Sequence, residues 1–219
     1  MNIHAVCISR TVGAGGEAVG QGVAQQLGFR YVDDEIITAA SERSQVQKAL
    51  IAKVEHRQSL LTRLLDAIPT RPLLDPAPPV FAESLAAVEL GAKGGGVSAA
   101  AAEQYRALIR EAIVEMASRG SVVIVAHGAS MALARAEGVL RVLVTASEKT
   151  RVERLRTSGL LNERSAAEAV EESDRARQEY LARFYDIGHE LPTHYDLLLN
   201  TDVVTPTQAI GAIVGLARA

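Results

Sequence analysis

Ile3-His4-Ala5-Val6-Cys7-Ile8-Ser9-Arg10-Thr11-Val12-Gly13-Ala14-Gly15-Gly16-Glu17 is the stretch on which the reading of this chain turns. Ile3 to Ser9 is an apolar-rich run the length of one strand, and the glycines between 13 and 16 interrupt it. Glu17 to Leu27 then mixes polar and apolar residues as a helix does and stops at Gly28. The order is strand, glycine turn, helix. At such a turn backbone N–H groups converge, the helix dipole adds positive potential, and glycine lets an anion approach without a Cβ in the way. A phosphate cradle is one expectation; a turn that merely needs positive φ is the other.

Outward from that stretch, Phe29 to Val32 is a short β-prone run closed by Asp33-Asp34, and Glu35 to Ile68 has a helical pattern. Five of the seven prolines fall between Pro69 and Pro79, with Gly91 and Gly94 to Gly96 soon after, so residues 69–98 read as a flexible surface insertion. Ala99 to Arg119 is helix-forming and ends at Gly120. Ser121 to Ala126, Val139 to Thr145 and Tyr195 to Asn200 read as further strands. Ser147-Glu148-Lys149-Thr150 opens a helix, Ser165-Ala-Ala-Glu168 has capping-box spacing for the next, and Thr205-Pro206 starts the last. Five strands alternating with helices imply a parallel sheet covered on both faces, with ligands outside the carboxyl ends of the strands. Those ends are Ser9 to Glu17, Asp33 and Asp34, His127 and Gly128, Thr145, and Asn200 to Asp202.

The composition agrees. With 219 residues, 48% apolar, and 23 Lys plus Arg against 26 Asp plus Glu, the chain fits one domain over residues 1–219 and has no basic excess for nucleic acid. No apolar run approaches the ~20 residues of a membrane span, and Met1-Asn2-Ile3-His4 carries no export pattern, so a cytoplasmic protein is expected. Cys7, the one cysteine, reads as a buried small side chain. The histidines are dispersed, so no dedicated metal site is expected. Nothing in the sequence gives the oligomeric state.

Two phosphate-binding patterns fit the glycine turn. Gly13-x-Gly15-x-x-Ala18 matches the dinucleotide fingerprint, with Asp33 or Asp34 near the place of a ribose-binding acid. Against it, Arg10-Thr11-Val12 separate strand from glycines, and the third strand arrives only near residue 121. The longer loop fits a mononucleotide loop, but aligned on G-x-x-x-x-G-K-[ST] it has Arg10 at the first Gly, Gly15 at the second, Gly16 at the Lys and Glu17 at the Ser/Thr. The missing positive charge must then come from elsewhere, and Arg10, at the start of the loop, is the nearest candidate; a solvated loop arginine is the alternative.

Several segments together resemble the cytidylate kinase-like family of P-loop proteins. They are Ile8-Ser9-Arg10 running into Gly13 to Glu17, Tyr31 to Ile37, Val123 to Ala129, Ser173 to Arg177 with Tyr180 and Phe184-Tyr185, and Tyr195 to Asp202. The resemblance implies a P-loop NTPase-type, three-layer α/β/α fold with a five-stranded parallel sheet, an acceptor-binding insertion, and an arginine-bearing lid over residues 159–190. It implies ATP and Mg²⁺ as cofactors and phosphoryl transfer to a small molecule. Gly13, Ala14, Gly15, Gly16 and Glu17 would hold donor phosphates, and Asp33 would stand at the acceptor or metal side. Arg151, Arg175 and Arg177 would clamp ATP, and Asn200 to Asp202 would lie near the adenine. On a helix, residues two apart point about 200° apart, so one arginine of Arg175 and Arg177 would reach phosphate unless the segment bends. Surface ion pairs of Arg175 with Glu171 and Glu179, and of Arg177 with Asp174, are the plain alternative. The chain departs from the family's pattern at His127, where Gly-Arg-Gly is usual, and at Glu172, Ala176 and Glu179, where cytidylate kinases carry acceptor contacts. The acceptor is therefore open, and so is a nucleotide-binding regulatory or pseudokinase module without efficient turnover.

Overall fold

The computed structural model describes residues 3–33, 99–126, 128–159 and 161–219. The helical pattern expected over 35–68, the insertion expected over 69–98, and His127 lie outside the described residues. The chain runs β1 (Ala5–Arg10), α1 (Gly16–Leu27), β2 (Arg30–Val32), α2 (Ala99–Ser118), β3 (Val122–Val125), α3 (Ala129–Ala132), β4 (Val139–Thr145), α4 (Glu148–Thr157), α5 (Glu163–Tyr185), a 3-10 turn (Pro192–His194), β5 (Leu197–Asn200) and α6 (Pro206–Arg218).

All strand pairs are parallel, in the order β2-β3-β1-β4-β5. The apolar runs that read as buried strands are those that must be covered on both faces, and β1 is buried at every position. Alternate residues feed two cores. Val6, Ile8, Val123, Val125, Val142 and Val144 pack under α1 and α6, whereas Ala5, Cys7, Ile124 and Leu143 pack under α2, α3 and α5. Full burial of a side chain such as Ile8 or Ile213 contributes about 1.5–3 kcal/mol, so the two faces hold the sheet from both sides. Burial also pushes the Cys7 thiol up to about 12, which keeps it protonated and inert.

The ends of the elements follow local chemistry. Gly28 caps α1 in the left-handed conformation, Ser147 caps α4 by accepting from Thr150 N–H, and Thr205 with Gln208 forms a capping box on α6. The expected box at Ser165 and Glu168 does not form. Asn162 caps α5 instead, its Oδ1 accepting from Ser165 N–H at 2.9 Å, so the helix begins one turn earlier. The last strand starts at Leu197 rather than Tyr195, because the 3-10 turn ends on Tyr195. Arg10, expected in the loop, is the final residue of β1 and is buried. No helix among the described residues is long and apolar enough to cross a membrane.

Candidate active site

The strand order places β1 between β3 and β4, so the residues after Arg10 leave the middle of the sheet at its carboxyl edge. The turn is fastened on the β4 side. Thr11 N–H donates to Val144 C=O at 3.2 Å, its Oγ1 to Thr145 Oγ1 at 3.2 Å, and Ala14 N–H closes back on Thr11 C=O at 3.1 Å. Gly13 and Gly15 both adopt positive φ, +76° and +80°. Gly13 is needed twice over, since a Cβ there would also lie 2.9 Å from the backbone oxygen of Arg151 on α4.

Two carbonyls of this turn, those of Gly13 and Ala14, are satisfied by side chains of other elements. Arg154 Nη1 donates to Gly13 C=O at 3.2 Å and to Thr201 Oγ1 at 2.9 Å, and Arg154 Nη2 donates to Thr201 C=O at 2.7 Å. Thr201 Oγ1 lies 2.9 Å from Ala14 C=O and 3.2 Å from Thr145 C=O, close enough to donate to either. At the start of α1 the N–H of Val19 returns to Gly15 C=O at 3.2 Å, and the amides of Gly16, Glu17 and Ala18 have no backbone acceptor among the described residues. With the Gly13 and Ala14 carbonyls engaged, the first-turn amides of α1 are the donors left at this turn, and a helix N-terminus of that kind receives an anion.

Arg10 and Glu17 flank that row. Their side chains form a buried ion pair through Arg10 Nε and a Glu17 oxygen, yet neither Nε nor Nη1 of Arg10 has an aligned hydrogen bond. Tyr31 stands beside them and donates from its hydroxyl to Asp33 Oδ2 at 3.1 Å. Burial first, then the carboxylates of Asp33 and Glu17, push the Tyr31 hydroxyl pKa up. Arg10, Glu17, Tyr31 and Asp33 thus form one charged cluster at the head of α1.

The other expected arginines are engaged differently. Arg151, buried, makes a bidentate pair with Asp174 at 2.8 and 2.5 Å. Arg177, 5% exposed, spends Nε and Nη2 on Glu190 at 2.9 and 2.5 Å, Nη2 also on Tyr195 Oη at 3.1 Å, and Nη1 on Arg10 C=O at 3.3 Å. Tyr195 Oη donates to Glu190 in turn. Burial pushes the Glu190 carboxyl up, but hydrogen bonding to Arg177 and its charge outweigh that and hold it below its usual range. Arg175 is exposed on the opposite side of α5 and has no partner among the described residues. The helix is continuous from Glu163 to Tyr185, so the two arginines diverge. Asp174 pairs with Arg151 rather than Arg177.

Asn200 and Asp202 close the β4–α4 corner. Asn200 Oδ1 accepts from Asp202 N–H at 2.9 Å, and Asp202 accepts from Ser147 N–H at 3.0 Å and Ser147 Oγ at 3.1 Å. Hydrogen bonding from Thr150 and Ser147 holds the exposed Asp202 carboxyl below its ordinary range. Thr201 falls inside the corner expected over Asn200 to Asp202, whereas sequence reading assigned no site role to Arg154, Glu190, Tyr195 or Ser130, whose hydroxyl shares a buried hydrogen bond with Ser9 at 3.0 Å. Of these, Arg154 carried a signal: it lies three positions after Arg151, on the same helix face.

A family model described as the cytidylate kinase-like family matches residues 5–203. The chain belongs to that family. No curated protein matches the chain. Among solved structures, an uncharacterized protein from Eubacterium ventriosum is 14% identical, with a TM-score of 0.57 and 98% of each chain covered. Shikimate kinase from Bacteroides thetaiotaomicron is 15% identical, with a TM-score of 0.51 over 98% of each chain. At those identities the likeness shows the fold alone: a P-loop NTPase-type α/β architecture, which this member of the cytidylate kinase-like family shares.

Proposed function

We propose that this chain is an ATP-dependent phosphotransferase of the nucleotide-kinase type, transferring the γ-phosphoryl group of ATP to a small-molecule acceptor in the cytoplasm. The observation that carries the reading is the turn between β1 and α1. Its Gly13 and Ala14 carbonyls are tied to Arg154 and Thr201, the amides of residues 16–18 that follow are left without a backbone acceptor among the described residues, and the chain belongs to a kinase-like family. Polyphosphate fits it because Arg10, whose stem lies against Gly16, brings a buried guanidinium whose Nη1 has no acceptor among the described residues.

In this reading Gly13, Ala14, Gly15, Gly16 and Glu17 wrap the donor phosphates, the amides of residues 16–18 donating to them. Mg²⁺ would supply neutralisation of charge across the phosphate oxygens, and Glu17 and Asp33 are the carboxylates that would hold it, directly or through water. Phosphoryl transfer needs positioning and charge neutralisation more than covalent chemistry, so Arg10 stabilises the phosphoryl group from the base of the loop. Residues 159–190 are the segment we assign as the lid; Arg175, without a partner among the described residues, faces solvent on the side of α5 away from Arg177, so it adds charge at the loop only where that segment turns over on closure. Arg151 and Arg177 hold α4, α5 and the loop in register, Asp33 faces the acceptor, and Asn200 and Asp202 shape the base-side corner.

One observation favours the second reading, a nucleotide-binding module without efficient turnover: Arg151 and Arg177 are bidentate with acids rather than turned to the loop. ADP release, followed in a coupled assay with ATP·Mg²⁺ and a panel of nucleoside monophosphates and hydroxyl acceptors, separates the two. Acceptor-dependent ADP supports the kinase. Tight ATP binding with no ADP for any acceptor supports the module, and stabilisation by NADH alone overturns both.

A further inference from the structure

Positions 10 and 16 of this loop are linked by packing. In the mononucleotide motif G-x-x-x-x-G-K-[ST] the first position is glycine and the seventh lysine. Here those positions hold Arg10 and Gly16, so the large cationic residue and the glycine have traded places. The geometry gives the reason. A Cβ on Gly16 would lie 2.6 Å from Arg10 Cβ, 3.0 Å from its Cδ and 3.3 Å from its Cγ. The last residue of β1 and the first of α1 come so close that only one of them can carry a side chain. Arginine at 10 demands glycine at 16, and a lysine at 16 would demand glycine at 10.

The Arg10 side chain fills the shared space and remains chemically unfinished. It is 1% exposed, its stem lies over Gly16, and Glu17, at the motif's hydroxyl position, contacts Nε without aligning a hydrogen bond. Nη1 is buried with no acceptor among the described residues. A buried guanidinium nitrogen left without an acceptor is costly, and the stem that carries it lies against Gly16, whose amide is one of the open donors of α1's first turn. These are the makings of one anion site with two kinds of donor.

We propose that Arg10 is the displaced counterpart of the motif lysine: the cation has crossed the base of the loop to the facing position, and Glu17 is the counter-ion that orients it until phosphate arrives. The proposal rests on the phosphate-site reading above and adds to it why the charge comes from residue 10, why residue 16 cannot supply it, and what Glu17 does meanwhile. It also predicts a reciprocal rescue that a solvated or purely structural arginine would not give.

The test compares Arg10→Gly, Gly16→Lys and the double variant Arg10→Gly/Gly16→Lys with the wild type. ATP·Mg²⁺ affinity is read by calorimetry, and the thermal midpoint is read without ligand. Arg10→Gly is expected to weaken binding by about tenfold or more. Gly16→Lys alone should lower the midpoint by several degrees and weaken binding, because two side chains then compete for one space. The double variant should regain both, to within about threefold of the wild-type affinity. A double variant that binds no tighter than Arg10→Gly overturns the proposal, as does Gly16→Lys with an unchanged midpoint and affinity. If Arg10→Gly does not fold, Arg10→Lys and Arg10→Met are compared in a Glu17→Gln background, where both keep a stem over Gly16. Binding retained by the lysine variant and lost by the methionine variant supports the exchange; equal binding overturns it. A wild type that binds ATP while the double variant fails sinks this inference alone, whereas a wild type that binds no ATP sinks the phosphate site as well.

Discussion

Arg175 and Arg177 stand two positions apart on one unbroken helix, and the turn of about 200° between them decides what each can do. Arg177 faces inward, where it satisfies Glu190, Tyr195 and the carbonyl of Arg10; Arg175 faces solvent. Arg177→Ala is therefore expected to cost about 2–3 kcal/mol in urea unfolding, below the full cost of orphaning a buried charge because Glu190 keeps some solvent contact. Arg175→Ala should change stability by no more than about 0.5 kcal/mol. Turnover should separate them too, because Arg177 holds the carbonyl of Arg10 and Arg175 faces away; equal effects on kcat and KM would contradict this. The same cluster sets a pH dependence. The folded Glu190 carboxyl lies below its unfolded value because hydrogen bonding to Arg177 outweighs burial. Its contribution is present above the unfolded pKa and is lost as pH falls through the folded one. Asp196, held down by hydrogen bonding to Arg141, has the same sign. Thermal midpoints should fall as pH drops through the acid range, and Glu190→Gln should flatten part of that fall; an unchanged profile would contradict the pairing.

At the scale of elements, much was legible because the signals were local. A strand broken by glycines, a helix stopped at Gly28, and caps at Ser147 and Thr205 each depend on residues a few positions apart. The start of α5 differs from the local pattern for a physical reason: Ser165-x-x-Glu168 has box spacing, but Asn162 caps better and draws the helix one turn earlier, leaving Ser165 inside it. Asn162→Ala should cost about 1 kcal/mol and Glu168→Ala almost nothing, measured by urea unfolding. The bonds that shape the site were not legible, since Arg154 reaches Thr201 across 47 positions and Gly13 across 141. No local pattern encodes such partners. Gly13→Ala combines positive φ with a Cβ 2.9 Å from the Arg151 oxygen, so a loss of about 1–3 kcal/mol is expected, seen as a lowered urea midpoint. A neutral Gly13→Ala would mean that α4 does not press on the turn.

For the whole molecule, the alternation of strands and helices implied a parallel sheet but not its order. The order β2-β3-β1-β4-β5 is what sets the glycine turn at the middle of the carboxyl edge, with Asp33 on one side and Thr201 on the other. That order depends on the packing of both faces and cannot be read from any single segment. It also explains why charge reaches the loop from β1 itself: Arg10 is already buried where the strand ends. Calorimetric titration of ATP·Mg²⁺ into the wild-type chain, with NADH as the comparison, measures the central claim directly. Saturable one-site binding of ATP that is abolished by filling the turn with Gly15→Val, and no heat from NADH, is the result expected. Binding of NADH in preference to ATP, or ATP binding indifferent to Gly15→Val, would contradict a polyphosphate held at this turn.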